Sequence, residues 1–298
     1  MNILIIGSSG LIGSACYNLL KKNYPETIGT YKSYQSNNAY IYFNSLDSNS
    51  LSIIQKYWDV VVHTGALTNV DLCEIDEELS YKENVITTKI ITEIISKHNL
   101  NCQFIYLSTD YVFDGIKGPY FEYDNPNPIN VYGKHKLECE GIVKSNFKNN
   151  VILRVTNVYG NEVRGKNFVA RLINTIEQNL TTILNVPFDQ FATPVDALDI
   201  AKIVELLILN RISGIIHVGG EEYMNRYQLA NKVLSYFPNN KITLNAISTI
   251  ELNQSALRPL RGGLIAQNIY KINSKFIFND LDQFIKNYIK NAKKEFRF

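Results

Sequence analysis

Short, continuous runs of apolar and β-branched residues alternate along the first half of the chain with stretches whose apolar positions recur every three or four residues. The runs cover residues 2–6, 27–31, 39–43, 59–63, 103–108 and 151–155. None shows an in-and-out alternation, which is the pattern of strands buried on both faces. Helical spacing fills the gaps at 11–22, 50–57, 81–98 and after Tyr132. Strand and helix in regular alternation predict an α/β fold built on a doubly wound parallel sheet with helices on both sides. After Gly160 the rhythm loosens. Helices are expected at 168–178, 197–209, 226–236 and from Leu281, with strands at 182–184, 214–218 and 241–244 and an irregular stretch near Arg258-Pro259. This predicts one domain over 1–160, to which 190–220 returns, and a smaller mixed α/β domain made of 161–189 and 221–298.

Composition narrows the classes. A chain of 298 residues buries about three quarters of its unfolded surface and needs no disulfide or metal to fold. Thirty Lys and Arg against 28 Asp and Glu leave a net charge of +2, which disfavours a nucleic-acid-coating protein. The Lys-rich end, 290–298, reads as a solvated helix face. Cys16, Cys73, Cys102 and Cys139 form no C-x-x-C, as expected of buried or neutral thiols in a reducing compartment. No run of eighteen apolar residues exists, so neither a membrane span nor a membrane partner is expected, and the cytoplasm is the expected location.

Gly7, Gly10 and Gly13 stand as G-x-x-G-x-x-G between the first strand and the first helix, which opens at Leu11 and Ile12. A tight turn, a close approach to a pyrophosphate and a helix packed near the sheet each favour a residue without Cβ. The helix N-terminus then offers unpaired N–H groups to the phosphates. The motif makes the first domain a Rossmann-type dinucleotide-binding domain. The acid that usually ends the second strand and holds the ribose of NAD is missing, because the sequence there is Gly29-Thr-Tyr-Lys-Ser33. Lys32 and Ser33 suit a 2′-phosphate, so NADPH is expected over NADH. Lys32 also reads as a solvated strand-end residue.

Tyr132 and Lys136 lie four residues apart where a helix begins, and so share one helix face. A neighbouring ammonium favours the ionised phenol, whose pKa is otherwise near 10. They follow a strand that ends in Ser108-Thr109-Asp110. His63, His98, His135 and His217 have no ligand spacing, and no metal is expected.

Taken together, the glycine motif, the hydroxyl-bearing strand end and Tyr-x-x-x-Lys resemble the extended short-chain dehydrogenase/reductases. Ser108-Thr-Asp-Tyr-Val-Phe-Asp-Gly115 and Asn130-Val-Tyr-Gly-Lys134 are similar to the dTDP-4-dehydrorhamnose reductases of that group. So are Gly65-Ala-Leu-Thr-Asn-Val-Asp71, Glu83-Asn-Val85, Asn167-Phe-Val169, Asp189-Gln-Phe-Ala-Thr-Pro194 and Arg258-Pro259. The resemblance implies NADPH-dependent reduction of the C4 keto group of a nucleotide-linked 4-keto-6-deoxy sugar, with dTDP-4-dehydro-L-rhamnose to dTDP-L-rhamnose as the leading case. By position, Tyr132 donates the proton, Lys136 binds the nicotinamide ribose and lowers the Tyr132 pKa, and Thr109 bonds the same carbonyl oxygen. Gly65, Ala66, Leu67 and Ser108 line the cofactor, and Asp110, Asn157 and Arg258 face the substrate. Asp110 and Asn84 also read as structural hydrogen bonders, and Arg258 as a domain-packing residue. The chain departs from these reductases at Asn157, where they carry Trp, and after Phe191 and Arg258, which opens the identity of the sugar. An epimerase with bound NAD(P) and a non-catalytic subunit resembling methionine adenosyltransferase β are the alternatives. A homodimer is compatible with the sequence, which fixes no oligomeric state.

Overall fold

The structure, a computed structural model, describes residues 1–162 and 164–295. The first half runs β1 (Ile3–Ile6), α1 (Leu11–Asn23), β2 (Ile28–Tyr31), β3 (Ile41–Tyr42), β4 (Val60–His63), α2 (Val70–Ile75), α3 (Glu77–Ser80), α4 (Thr87–His98), β5 (Gln103–Thr109), α5 (Val131–Asn146) and β6 (Asn150–Val155). There follow β7 (Val158–Tyr159), α6 (Phe168–Glu177), β8 (Thr182–Pro187), β9 (Phe191–Ala192), β10 (Val195–Asp196), α7 (Ala197–Leu209) and β11 (Gly214–Val218). The chain closes with β12 (Met224–Asn225), α8 (Arg226–Ser235), β13 (Ile242–Ile247), α9 (Gln267–Ile272) and α10 (Leu281–Glu295). Side chains beyond 291, and with them most of the Lys-rich end, lie outside the described residues. Among the described residues no helix is long and apolar enough to cross a membrane.

Seven parallel strands form the main sheet in the order β11-β6-β5-β4-β1-β2-β3. The order reverses between β1 and β4, and at such a switch point the loops after the two strands separate and leave a crevice at their carboxyl ends. Continuous apolar runs form these strands because each residue finds a core whichever way it points. Ile3, Ile5, Val60, Val62, Ile105, Leu107, Val151 and Leu153 pack with α1 and α7 on one face. Leu4, Ile6, Val61, Phe104, Tyr106 and Ile152 pack with α4 and α5 on the other. A separate core joins α6, α8 and α10 to the parallel pair β8 and β13 around Val169, Leu172, Ile173, Leu229, Val233 and Ile285.

In the second half α9 and the two-residue strands β7, β9, β10 and β12 were not anticipated, and in the first half three elements differ from the sequence reading. The helix expected at 50–57 is a 3₁₀ segment, Ser48–Ile53, capped by Asp47. The buried Trp58 indole donates to the Ile53 carbonyl and fixes its end. The helix expected from Tyr81 begins at Glu77, where the Asp76 carboxylate caps the Leu79 N–H. It then passes through one π-helical turn, Tyr81–Ile86, before α4. Finally α2 lies in the segment after β4, where the sequence reading placed no helix, and its start is marked by the Asn69 side chain accepting from Leu72.

One buried charge pair ties the strand ends together. Arg154 on β6 donates from Nε and Nη2 to the two Glu140 oxygens at 2.9 and 2.7 Å, and both side chains are only 1% exposed. Ser108 at the end of β5 donates to Glu140 at 2.6 Å. On β11, His217 lies 3.4 Å from Arg154 through Nε2 and 3.1 Å from the Tyr120 carbonyl through Nδ1. Burial, and then the guanidinium, push the His217 pKa down to about 3, and a neutral ring protonated on Nδ1 satisfies both contacts. Because an unpaired buried guanidinium is costly, Glu140→Gln should lower the unfolding free energy by about 3–5 kcal/mol. Urea denaturation checks this, and a loss near zero would show that the pair supports nothing.

Candidate active site

The turn after β1 uses its three glycines differently. Gly7 has φ +88° and sits against the β4–α2 loop, so that a Cβ there would lie 2.7 Å from the Gly65 nitrogen. At Gly13 a Cβ would meet the Gly7 carbonyl at 2.2 Å, which is the close approach of α1 to the strand. Gly10, the N-cap of α1, is under no such demand. Its φ is −85°, and the nearest atom to a Cβ there would be 3.5 Å away. The fold needs Gly7 and Gly13, whereas the bare surface at Gly10 suits a group approaching from outside. No side chain caps this helix, so its first N–H groups, with the partial positive charge of the helix end, face the same space. These features fit the pyrophosphate of a dinucleotide. Leu11 and Ile12 open the helix half-buried beside it.

Across the crevice, Gly65, Ala66 and Leu67 are half-buried. Asn84 clamps this loop: its carbonyl accepts from the Leu67 N–H at 2.9 Å, and its amide donates to the Leu67 carbonyl at 3.2 Å. The π-helical turn presents Asn84 to the loop, and Glu83 beside it takes the ammonium of Lys32 from the end of β2. Lys32 is 42% exposed, and the neighbouring Ser33 is exposed.

Thr109, Tyr132 and Lys136 come together at the carboxyl end of β5. The Asn130 side chain caps the Gly133 N–H and starts α5, which points Tyr132, Lys136 and Glu140 at β5 along one stripe. The Lys136 ammonium donates to the Leu107 carbonyl at 2.5 Å and lies 4.1 Å above the Tyr106 ring. Burial lowers its pKa to about 8, against the opposing pull of Cys139 and Glu140. Tyr132 is 8% exposed and packs edge-on to Tyr111 at 5.8 Å between ring centres. Burial pushes its pKa well up, Cys73, Tyr111 and Asp110 add to the rise, and the Thr109 hydroxyl offsets part of it. The phenol is thus held protonated, and Lys136 is directed at a main-chain carbonyl.

Other predicted residues are engaged inside the protein. The Ser108 hydroxyl, expected at the cofactor, is turned beneath the site onto Glu140. Asp110 accepts from Thr156 at 2.5 Å and from the Gly263 N–H at 3.2 Å, and its pKa is raised by burial. Arg258 pairs with Asp71 at 2.6 Å. Asn157 has φ +37° and accepts from Arg226 at 3.2 Å. The sequence reading gives Arg226 only as the start of a helix, yet its side chain reaches Asn157 just past the end of β6. The available signal was a cation in the first turn of a helix, where the dipole disfavours one. Among the described residues no group of three or more His, Cys, Asp and Glu is arranged to hold a metal.

A sequence profile of the RmlD substrate binding domain family matches residues 1–293. The chain belongs to this family. It is 31% identical over 295 residues to the dTDP-4-dehydrorhamnose reductase of Aggregatibacter actinomycetemcomitans, covering 92% of each chain. It is also 31% identical over 233 residues to methionine adenosyltransferase 2 subunit beta of Xenopus tropicalis, covering 76% of this chain and 69% of that one. The crystal structure of a dTDP-4-dehydrorhamnose reductase from Clostridium acetobutylicum superposes with a TM-score of 0.85 at 28% identity, over 98% of this chain and 100% of that one.

The glycine geometry of this RmlD-family chain separates folding from binding. Gly13→Ala should cost about 1–3 kcal/mol of stability through overpacking, read as a lowered Tm. Gly10→Ala should leave Tm nearly unchanged and weaken binding of a dinucleotide such as NADP⁺ at least roughly tenfold in a fluorescence titration, since a Cβ there would meet no protein atom closer than 3.5 Å and would fill the space a pyrophosphate needs.

Proposed function

We propose that the chain reduces the C4 keto group of a nucleotide-linked 4-keto-6-deoxy sugar with NADPH, with dTDP-4-dehydro-L-rhamnose, giving dTDP-L-rhamnose, as the leading substrate. The observation that carries this reading is the gathering of Thr109, Tyr132 and Lys136 at the end of β5, beside a glycine turn that leaves room for a pyrophosphate. Likeness to a dTDP-4-dehydrorhamnose reductase over 92% of both chains supports it.

The bound dinucleotide supplies the hydride. Tyr132, held protonated by burial, is prepared to give its proton to the carbonyl oxygen as negative charge develops there. Thr109 offers the same oxygen a hydrogen bond. Lys136 remains mostly charged at neutral pH with a pKa of about 8, and its positive charge favours the phenolate left behind. Gly65 to Leu67, clamped by Asn84, form the wall against the middle of the cofactor. Lys32 and Ser33 take the 2′-phosphate. The Lys32–Glu83 pair is exposed and therefore weak, on the order of 0–1 kcal/mol, so a phosphate dianion displaces the carboxylate. Buried free thiols at Cys16, Cys73, Cys102 and Cys139 suit a cytoplasmic enzyme.

The similarity to a methionine adenosyltransferase β subunit supports a second reading, a non-catalytic partner protein. Tyr132→Phe separates the two. As a reductase the variant should lose about 10²–10⁴ in kcat, measured as NADPH consumed with a panel of nucleotide 4-ketosugars, while its Kd for NADP⁺ stays nearly constant. If the parent protein consumes none of them, the second reading stands. Cofactor choice has its own check. Lys32→Ala should shift the NADPH-to-NADH ratio of kcat/KM toward NADH by about tenfold or more, and Glu83→Gln should shift it toward NADPH. An unchanged ratio in both variants would remove Lys32 from the 2′-phosphate site.

A further inference from the structure

Arg226 opens α8, a ten-residue helix whose Asn225 and Gln228 close a reciprocal capping box. A positive charge at this position opposes the helix dipole. The side chain nonetheless turns inward, with its guanidinium 4.9 Å above the Phe168 ring and donating to Asn157 at 3.2 Å. Asn157 is a neutral amide, and among the described residues no carboxylate forms an ion pair with Arg226. The other groups acting on this guanidinium are Tyr111, Arg171, Asp110 and Arg258. Asp110 is committed to Thr156 and Gly263, and Arg258 already has Asp71. Burial acts against the charged form of Arg226, and Arg171 and Arg258 add repulsion. The guanidinium is thus half-buried, repelled by Arg171 and Arg258, attracted by Tyr111 and Asp110, and bonded to a neutral amide with no ion-pair partner among the described residues, so an anion placed against it would gain a charge-assisted bond that the protein does not already supply.

The position of this charge is informative. Asn157 lies just past the end of β6 and Asp110-Tyr111 just past the end of β5, while Tyr111 packs on Tyr132. Arg226 therefore bonds the residue just past the end of β6, and Tyr111, whose ring packs on that of the residue read above as the proton donor, is among the groups whose charge acts on it. Ligands of open α/β sheets lie along the carboxyl ends of the strands, on the side where β5 and β6 also end. A guanidinium is a planar fork that matches paired anionic oxygens.

We infer that Arg226 is the residue that grips an anionic oxygen pair of the substrate, and that Arg258, engaged by Asp71, is not. The inference rests on the nucleotide-sugar reading above. The oxygens belong either to the nucleotide's diphosphate or to a carboxylate on its sugar.

Titration calorimetry on the full chain, saturated with NADP⁺, decides the matter with three probes: dTDP, dTDP-glucose and dTDP-glucuronate. Arg226→Gln should weaken at least one of them by roughly tenfold or more without changing the Kd for NADP⁺ or the Tm. Arg226→Lys should recover only part of the loss, since a point charge cannot reproduce the fork. Weakening of all three assigns the diphosphate, and weakening of dTDP-glucuronate alone assigns a carboxylate. If the parent binds the probes and Arg226→Gln binds them equally well, the inference is overturned and the nucleotide-sugar reading survives. If the parent binds NADP⁺ but none of the probes, the nucleotide-sugar reading fails and takes the inference with it. A Tm lowered together with unchanged probe affinities would make Arg226 a packing residue and also overturn it.

Discussion

Arg154 and Glu140 face each other out of solvent, and a charge pair so placed holds only when its geometry is complete. Here it is: the carboxylate takes two guanidinium bonds and the Ser108 hydroxyl, and the remaining edge of the guanidinium meets a neutral His217. Strands β5, β6 and β11 and helix α5 are thereby fixed at one point beneath the strand ends. An apolar cluster of similar size would hold them together as well, but it would tolerate sliding. Directional bonds do not. Tyr132 and Lys136 stand on the α5 stripe that Glu140 anchors, so the height and rotation of the candidate reactive pair are inherited from a contact that touches no substrate.

Around this anchor most polar groups at the strand ends are already satisfied by the protein. Ser108 serves Glu140, Asp110 serves Thr156 and Gly263, and Arg258 serves Asp71. These bonds build the walls. Among the described groups that offer donors here, the α1 N-terminus at Gly10 has no side-chain cap, the Arg226 guanidinium has no ion pair and bonds only a neutral amide, and the Tyr132 phenol has only the Thr109 hydroxyl. Each offers a hydrogen-bond donor, and their common need is for acceptor oxygens. Phosphates and a carbonyl supply such oxygens, so the chemistry of the expected ligands is written in what the protein does not satisfy by itself.

Local sequence carried a large share of this picture. The turn from β1 into α1, the stripe of Tyr132 and Lys136 and the end of β5 were all readable because the deciding residues lie within one element and its flanking turn. So were the buried strands, whose apolar runs are consistent only with cover on both faces. Readings missed caps and helix ends that the apolar pattern does not show, and were left open where the deciding partner is distant. Trp58 shortens the segment before it, and Asp76 starts a helix ahead of its apolar pattern. The engagement of Ser108 depends on Glu140, 32 residues on, and the contact of Arg226 on Asn157, 69 residues back. A single chain of letters shows that a Ser, a Lys or an Arg is present. It does not show whether a carboxylate from another element has taken it first, as Glu83 has taken Lys32 and Asp71 has taken Arg258.

The order of strands in the main sheet has one more consequence. Its edge strand β11 and the helix α7 that covers α1 are contributed by residues 197–218, after the chain has left to build α6 and β8 and come back. During synthesis the sheet that carries the glycine turn is therefore left unfinished, with the flank of β6 open and one face of α1 bare, until about three quarters of the chain has emerged. Neither half can be cut free at residue 160 and keep its core. The sheet that carries the glycine turn is complete only once β11 has been made.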